Sequence, residues 1–252
     1  MKGSLSTRKI SGRTGRSGFH TLNDRPTAHA EVQSFVGKLC SDTKKYSWYS
    51  WYWTLISNPL AWRLYRQINS ASCGGITGTY YRGRCFETDT AKPSPCELGP
   101  PPLEKQREWR YSQGKSVVFY LSRTCETAAL ETRTAGSKPI IFIQKFKLSI
   151  PNAKVLYLSK DLEDRYPHLH YLLLDSEYLP AENSFVPNPY RATQFVAFLC
   201  QLRGILAVEY PSVRGCFRKN PDAVNIVLFG RAVDQASTMA VGDPFKFETK
   251  CL

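Results

Sequence analysis

The sequence predicts an α+β fold, a mixed β-sheet core with flanking helices and an N-terminal helical extension. Three observations carry that expectation. The first 70 residues hold an apolar stretch with helical spacing and, after it, a cluster containing four of the five tryptophans. Beyond Asn69 the texture changes to short β-rich runs divided by Gly, Pro and polar breaks. A single strongly periodic helix then interrupts the β-rich part, so helices and strands share one unit.

Taken in order, residues 1–26 are rich in Ser, Gly, Thr, Arg and Lys and predict a flexible basic arm. From Glu31 to Cys40 the apolar side chains Val32, Phe35, Val36 and Leu39 recur at helical spacing behind a Pro26-Thr27 start signal. Residues 27–70 form an aromatic-rich helical extension. Its Tyr46, Trp48, Tyr49, Trp51, Tyr52, Trp53 and Trp62, interleaved with Lys44, Lys45, Arg63 and Arg66, suit either stacking of single-stranded bases or a packed helical layer, and the packed layer is the favoured reading.

A second, β-rich unit is expected over residues 71–252. A strand is predicted near Thr79–Phe86, and a five-proline loop over Lys92–Leu103, where neither helix nor central strand tolerates that density. Ser116–Leu121 reads as a strand, Arg123–Arg133 as a helix, and Pro139–Leu148 and Val155–Leu158 as two strands. In Arg191–Arg203 the apolar Ala192, Phe195, Val196, Leu199 and Leu202 mark one helix face, with Gly204 suited to its C-terminal end. Ile205–Tyr210 and Ala223–Phe229 complete the sheet.

The chain has 252 residues, 34 Lys+Arg against 21 Asp+Glu, and a formal net charge of +13. That balance favours polyanionic partners, whether nucleic acid, a nucleotide or an acidic protein. Residues 1–70 hold 11 of the basic and 3 of the acidic side chains, so most of the excess lies outside the β-rich part. A nucleic-acid contact through the basic arm is therefore an open reading. No apolar run approaches the roughly 18 residues needed to span a bilayer, and no membrane partner is expected. The start Met1-Lys2-Gly3-Ser4 lacks a secretory pattern, from which a cytoplasmic location is expected. The eight cysteines show neither CxxC pairs nor zinc-ligand spacing and read as reduced thiols.

Common nucleotide and metal signatures fail here. Gly114-Lys115-Ser116 mimics the end of a phosphate loop, but Trp109 occupies the position of its upstream glycine and a strand follows. No GxGxxG follows a strand. His20, His29, His168 and His170 form no HExxH site and offer no evident base for Ser212, and His168 and His170 are expected to cap or flank a helix. Neither a metal nor a bound cofactor is expected.

A different pattern is spread over about 150 residues. Tyr81-Arg82-Gly83-Arg84 is followed by Arg110, ten residues ahead of Tyr120 in Val117-Val118-Phe119-Tyr120-Leu121-Ser122. Glu131 ends Ala128-Ala129-Leu130-Glu131, and Thr193-Gln194, Tyr210-Pro211-Ser212 and Asn225-Ile226-Val227-Leu228-Phe229 come later. In that order these blocks resemble the RES domain family, over roughly residues 76–230. Trp109 and Ala207 stand where that family commonly has glycine, and Ser112 where it has asparagine.

The resemblance implies an ADP-ribosyltransferase-like fold and an enzyme that degrades NAD as its substrate. It further implies phosphate or water as acceptor, a toxin or defence role, and a neutralising antitoxin or immunity protein as partner. Transfer of ADP-ribose to a macromolecule is the rival outcome, and a non-catalytic nucleic-acid module the third. The residue types suit the chemistry. Nicotinamide leaves NAD as a neutral ring, so no general acid is required and one carboxylate suffices, unlike the two used for ordinary glycosides. On this reading Glu131, Arg82 and Ser212 are catalytic, with Glu131 stabilising the oxocarbenium charge and Ser212 placing a phosphate or ribose hydroxyl. Arg82 and Arg110 grip the pyrophosphate, and Tyr120 and Tyr81 line the nicotinamide or its ribose. Arg84 joins this substrate-binding set, although its strand position is read as alternating away from Arg82. The small pair Ala128-Ala129 is expected to let a ligand approach the helix bearing Glu131.

Overall fold

The structure, a computed structural model, describes residues 25–41, 47–86, 92–105, 108–112, 116–132, 140–158, 162–178, 190–212, 214 and 220–248. The basic arm up to residue 24 lies outside them, as do Lys44, Lys45 and Tyr46.

Three helices open the described chain: α1 (Arg25–Ser41), α2 (Trp48–Ser57) and α3 (Pro59–Ala71). Asn58 ends α2 and starts α3, its side chain accepting from the Leu60 and Ala61 amides while Pro59 takes the first helical position. The β-rich part follows with β1 (Ser72–Phe86), β2 (Val118–Ser122), α4 (Cys125–Thr132), β3 (Ile140–Tyr157), α5 (Leu162–Arg165), α6 (Pro167–Tyr178), α7 (Arg191–Leu202), β4 (Ile205–Pro211), β5 (Val224–Phe229), α8 (Arg231–Ser237) and β6 (Ala240–Lys246). The fold is mixed α+β. Its strands run β1-β2-β5-β4-β3-β6, and β1 also pairs with β3, so the first five close on themselves like a small barrel. Among the described strand pairs only β3–β4 is parallel.

The two strands expected over 139–158 are one. β3 crosses Pro151 without ending, because Gly74 and Ile76 of β1 pair with Lys154 and Ile150, leaving a bulge opposite the proline. Gly75 in that bulge has φ +90, a left-handed conformation natural to glycine. The pyrrolidine's missing N–H thus costs no ladder bond. The proline-rich loop carries two short 3-10 turns, Pro95–Leu98 and Leu103–Lys105, with Leu98 fully buried.

A small core formed by Ala128, Ala129, Ile141 and Ile143 joins α4 to β3, and two larger ones hold the elements. One lies inside the ring, where Phe119, Phe146, Leu148, Ala207 and Leu228 meet α8 through Ala232, Val233 and Ala236. The other joins α1–α3 to α6 and α7, with Phe35, Trp51, Leu64 and Ile68 against Phe195, Phe198, Leu169 and Leu172. Arg63 and His168 both reach the Glu31 carboxylate, at 2.8 and 3.1 Å, tying α3 and α6 to α1. His168 and His170 belong to the first turn of α6. The aromatic layer is packed only in part. Trp51 and Leu55, four residues apart, turn inward from α2, whereas Tyr49 (69% exposed), Tyr52, Trp53 and Trp62 face outward. Among the described cysteines, Cys85, Cys96, Cys125 and Cys200 are free thiols. No helix of the described chain is long and apolar enough to cross a membrane.

Candidate active site

The site begins with a glycine. A Cβ on Gly83 would come within 2.6 Å of Thr132 Oγ1 and 2.7 Å of the Ala128 carbonyl oxygen, so α4 lies against β1 only because that position has no side chain. The Ala128-Ala129 pair serves the same contact. Ala129 is fully buried against the sheet, while Ala128 also edges the cavity. This close approach fixes Glu131, in the last turn of α4, over the ends of β2, β4 and β5.

Glu131 is held there by donors from the residue after β4 and from the start of β5. Its Oε1 accepts from Ser212 Oγ at 2.6 Å and from Asn225 Nδ2 at 2.7 Å. Asn225 is oriented in turn by Ser122, whose hydroxyl donates 2.7 Å to Asn225 Oδ1. Arg214 Nη1 donates to the Glu131 main-chain oxygen at 3.1 Å, a cation at a helix C-terminus. Both side-chain donors reach one oxygen, and Oε2 carries no hydrogen bond among the described residues.

Glu131 lines a cavity of 420 Å3 together with Tyr81, Arg82, Trp109, Arg110, Ser122, Tyr120, Tyr190, Tyr210, Arg214 and Asn225. Arg82 leans its guanidinium over the Phe119 ring, 4.9 Å from the centroid. Its Nη1 is closed off from solvent and has no hydrogen-bond partner among the described residues. Burial, and then the neighbouring Arg84, push its pKa down to about 9. Arg110 lies over the Tyr210 ring, 5.8 Å from the centroid. The turn that carries it is clamped by α7: the Thr193 hydroxyl donates to the Arg110 carbonyl, and Gln194 Nε2 donates to the Trp109 and Ser112 carbonyls at 3.2 and 3.1 Å. Tyr120 accepts the Tyr111 amide on its hydroxyl at 2.9 Å, and burial pushes its phenol up.

Six of the seven sequence-derived candidates converge, but not all in the positions expected. Glu131, Arg82, Arg110, Tyr120 and Tyr81 share the cavity wall. Ser212 is 1% exposed, lies behind Glu131, and directs its hydroxyl to that carboxylate. Arg84 borders a smaller adjoining cavity that also touches Arg82. The expectation that it alternates away from Arg82 is wrong for a geometric reason: positions two apart on a strand share a face. Its guanidinium donates to the Glu97 carbonyl oxygen rather than to an acidic side chain. Asn225, Ser122 and Arg214 were not singled out from the sequence; Asn225 stood in the quoted final block, and its place at the start of a strand beside Ser212 was the available signal. Among the described residues no cluster of His, Cys, Asp or Glu is arranged to hold a metal ion.

These features define a class: a mixed α+β domain whose cavity opposes one anchored carboxylate to several guanidinium groups. Comparison with protein families matches residues 99–249 to the RES domain. The chain belongs to the RES domain family. The match takes in Arg110, Tyr120, Glu131 and Ser212, while Tyr81-Arg82-Gly83-Arg84 precedes it. No curated protein matches. Among solved structures, the crystal structure of the M. tuberculosis MbcT-MbcA toxin-antitoxin complex contains a similar chain, with 13% identity and a TM-score of 0.48, covering 75% of this chain and 93% of that one.

Proposed function

We propose that the protein cleaves the bond between nicotinamide and ribose in NAD, with water or inorganic phosphate taking the ADP-ribose, in an ADP-ribosyltransferase-like site. The observation that carries this is the cavity itself: one carboxylate, pinned through a single oxygen, faces Arg82 and Arg110 across a space of 420 Å3. Ordinary glycosides, whose alcohol must be protonated as it departs, need two carboxyl groups, whereas the ring of NAD, cationic while bound and neutral when it leaves, needs one. Membership of the RES domain family supports the same reading.

In this scheme the diphosphate binds between Arg82 and Arg110, whose planar forks match phosphate oxygens. Glu131 Oε2 takes a hydroxyl of the nicotinamide ribose and opposes the positive charge that develops at the anomeric carbon. The C–N bond breaks with its electron pair going to the ring, and nicotinamide leaves neutral. An acceptor oxygen then bonds to the anomeric carbon; water gives up its proton to solvent, whereas an anionic phosphate oxygen has none to lose. Ser212, Asn225 and Ser122 act as positioning residues that keep the carboxylate aimed.

The biological reading that fits is a toxin or defence effector restrained by a neutralising protein. Its test is a comparison of wild type with Glu131→Gln, incubated with NAD with and without phosphate and analysed by mass. Wild type is expected to release nicotinamide, and the variant at least ~10²-fold more slowly, the usual cost of losing one transition-state contact. The second product, ADP-ribose or its 1″-phosphate, names the acceptor. Equal rates from the two proteins, or no release by wild type, would overturn the proposal.

A further inference from the structure

We propose that the end of the cleft remote from Glu131, where Arg84 and Lys105 converge beside Arg82, binds a phosphate monoester and selects the 2′-phosphorylated dinucleotide, NADP, over NAD. The inference rests on the cleavage reading above and names the preferred substrate of the same site.

A second cavity of 180 Å3 adjoins the first and shares Arg82, Trp109 and Tyr120 with it. Its further lining includes Arg84, Lys105 and Pro101, so three cations and no carboxylate among the described residues border it. Arg84 is anchored by one donor to the Glu97 carbonyl, which leaves the rest of its fork for a ligand. Arg82 stands beside it, its guanidinium buried over Phe119 and its Nη1 without a hydrogen-bond partner among the described residues. The Glu97 carboxylate, held by Ser94, acts on Arg84 from outside the cavity lining, so the two neighbouring guanidinium groups turn an excess of positive charge toward the cleft, a surface suited to an anion.

The direction of the cleft decides which anion. Tyr81 pairs with Ser122 in antiparallel register, so moving along β1 toward Arg84 is moving along β2 from Ser122 through Tyr120 to Val118. Ser122 belongs to the Glu131 network, and Val118 borders the second cavity. With the scissile ribose at Glu131 and the diphosphate at Arg82 and Arg110, the adenosine half is what remains to extend toward Arg84 and Lys105. At the junction Trp109 is 53% exposed and presents a ring on which a base can stack. NAD carries only a hydroxyl at the adenosine 2′ position. NADP carries a phosphate dianion there, the group for which an arginine fork with a nearby cation is suited. Free orthophosphate shares this chemistry, yet an acceptor phosphate must attack at the opposite end, beside Glu131.

The test measures equilibrium binding, by calorimetry, of NADP, NAD and orthophosphate to the full chain carrying Glu131→Gln. No turnover is needed, so a failure of cleavage and a failure of selection are separate results. NADP is expected to bind at least about tenfold more tightly than NAD, and that ratio to fall toward one when Arg84→Gln or Lys105→Gln is added. Lys105 lies in an exposed turn, so its variant retains the fold and keeps the outcome readable. Equal binding of NADP and NAD, or a ratio indifferent to both substitutions, overturns the proposal. So does orthophosphate binding that depends on Arg84 while NADP shows no preference, which assigns the cavity to free phosphate.

Discussion

Arg82 shows at the scale of one side chain how binding capacity is held at the expense of stability. Its guanidinium has a nitrogen without a hydrogen-bond partner among the described residues, and burial, then the neighbouring Arg84, depress its pKa. Removing a buried charge that lacks a counter-ion relieves desolvation, offset here by loss of the contact with Phe119. Arg82→Met is therefore expected to keep its thermal midpoint, with a stability change under about 1 kcal/mol, while dinucleotide binding is lost; calorimetric unfolding and a binding titration read the two effects. Asn225→Ala should behave differently. It frees Glu131 from one of two side-chain donors and strands the Ser122 hydroxyl, so the rate of nicotinamide release is expected to fall about 10- to 100-fold with little change in KM. Tyr80 is pushed up to about 12 by burial and then by Glu209. Its neutral form contributes stability that is complete below pH 10 and is lost as pH rises from there toward 12, so Tyr80→Phe should flatten the fall in thermal midpoint measured above pH 10. The residues legible in the sequence were those with an unusual charge or ring in a fixed order. Asn225 and Ser122 were not, because a buried amide and hydroxyl look like strand filler until their partner is in place.

At the scale of elements, the contact between α4 and β1 controls the geometry. Gly83→Ala would force backbone and the Thr132 side chain apart, at a cost of about 1–3 kcal/mol, and would displace Glu131 from its donors. A lowered urea midpoint together with loss of NAD cleavage checks this; an active variant of unchanged stability would contradict it. The helix of 191–202 was readable from periodicity because ten of its residues are buried and its apolar face is broad. β3 was read as two strands because Pro151 signals a break, and only the bulge opposite, created by a distant glycine, explains its tolerance. Strand closure through β1 and β3 was invisible for the same reason: pairing between segments some 70 residues apart leaves no local pattern.

At the scale of the molecule, α1–α3 contribute Val32, Phe35, Trp51, Leu64 and Ile68 to a core completed by α6 and α7. Deleting residues 1–70 would expose that face, and the shortened chain is expected to lose cooperative unfolding and to aggregate, as followed by calorimetry and light scattering. Since α7 clamps the turn bearing Arg110, the extension supports the site from a distance. Cleavage in this cavity requires one dinucleotide to be gripped at its diphosphate and presented at its nicotinamide ribose to a single acid. The most direct measurement is a crystal structure of Glu131→Gln soaked with the intact dinucleotide. The nicotinamide ribose is predicted within hydrogen-bond reach of residue 131, with the diphosphate between Arg82 and Arg110; a dinucleotide bound in reverse, or outside this cavity, would contradict the account.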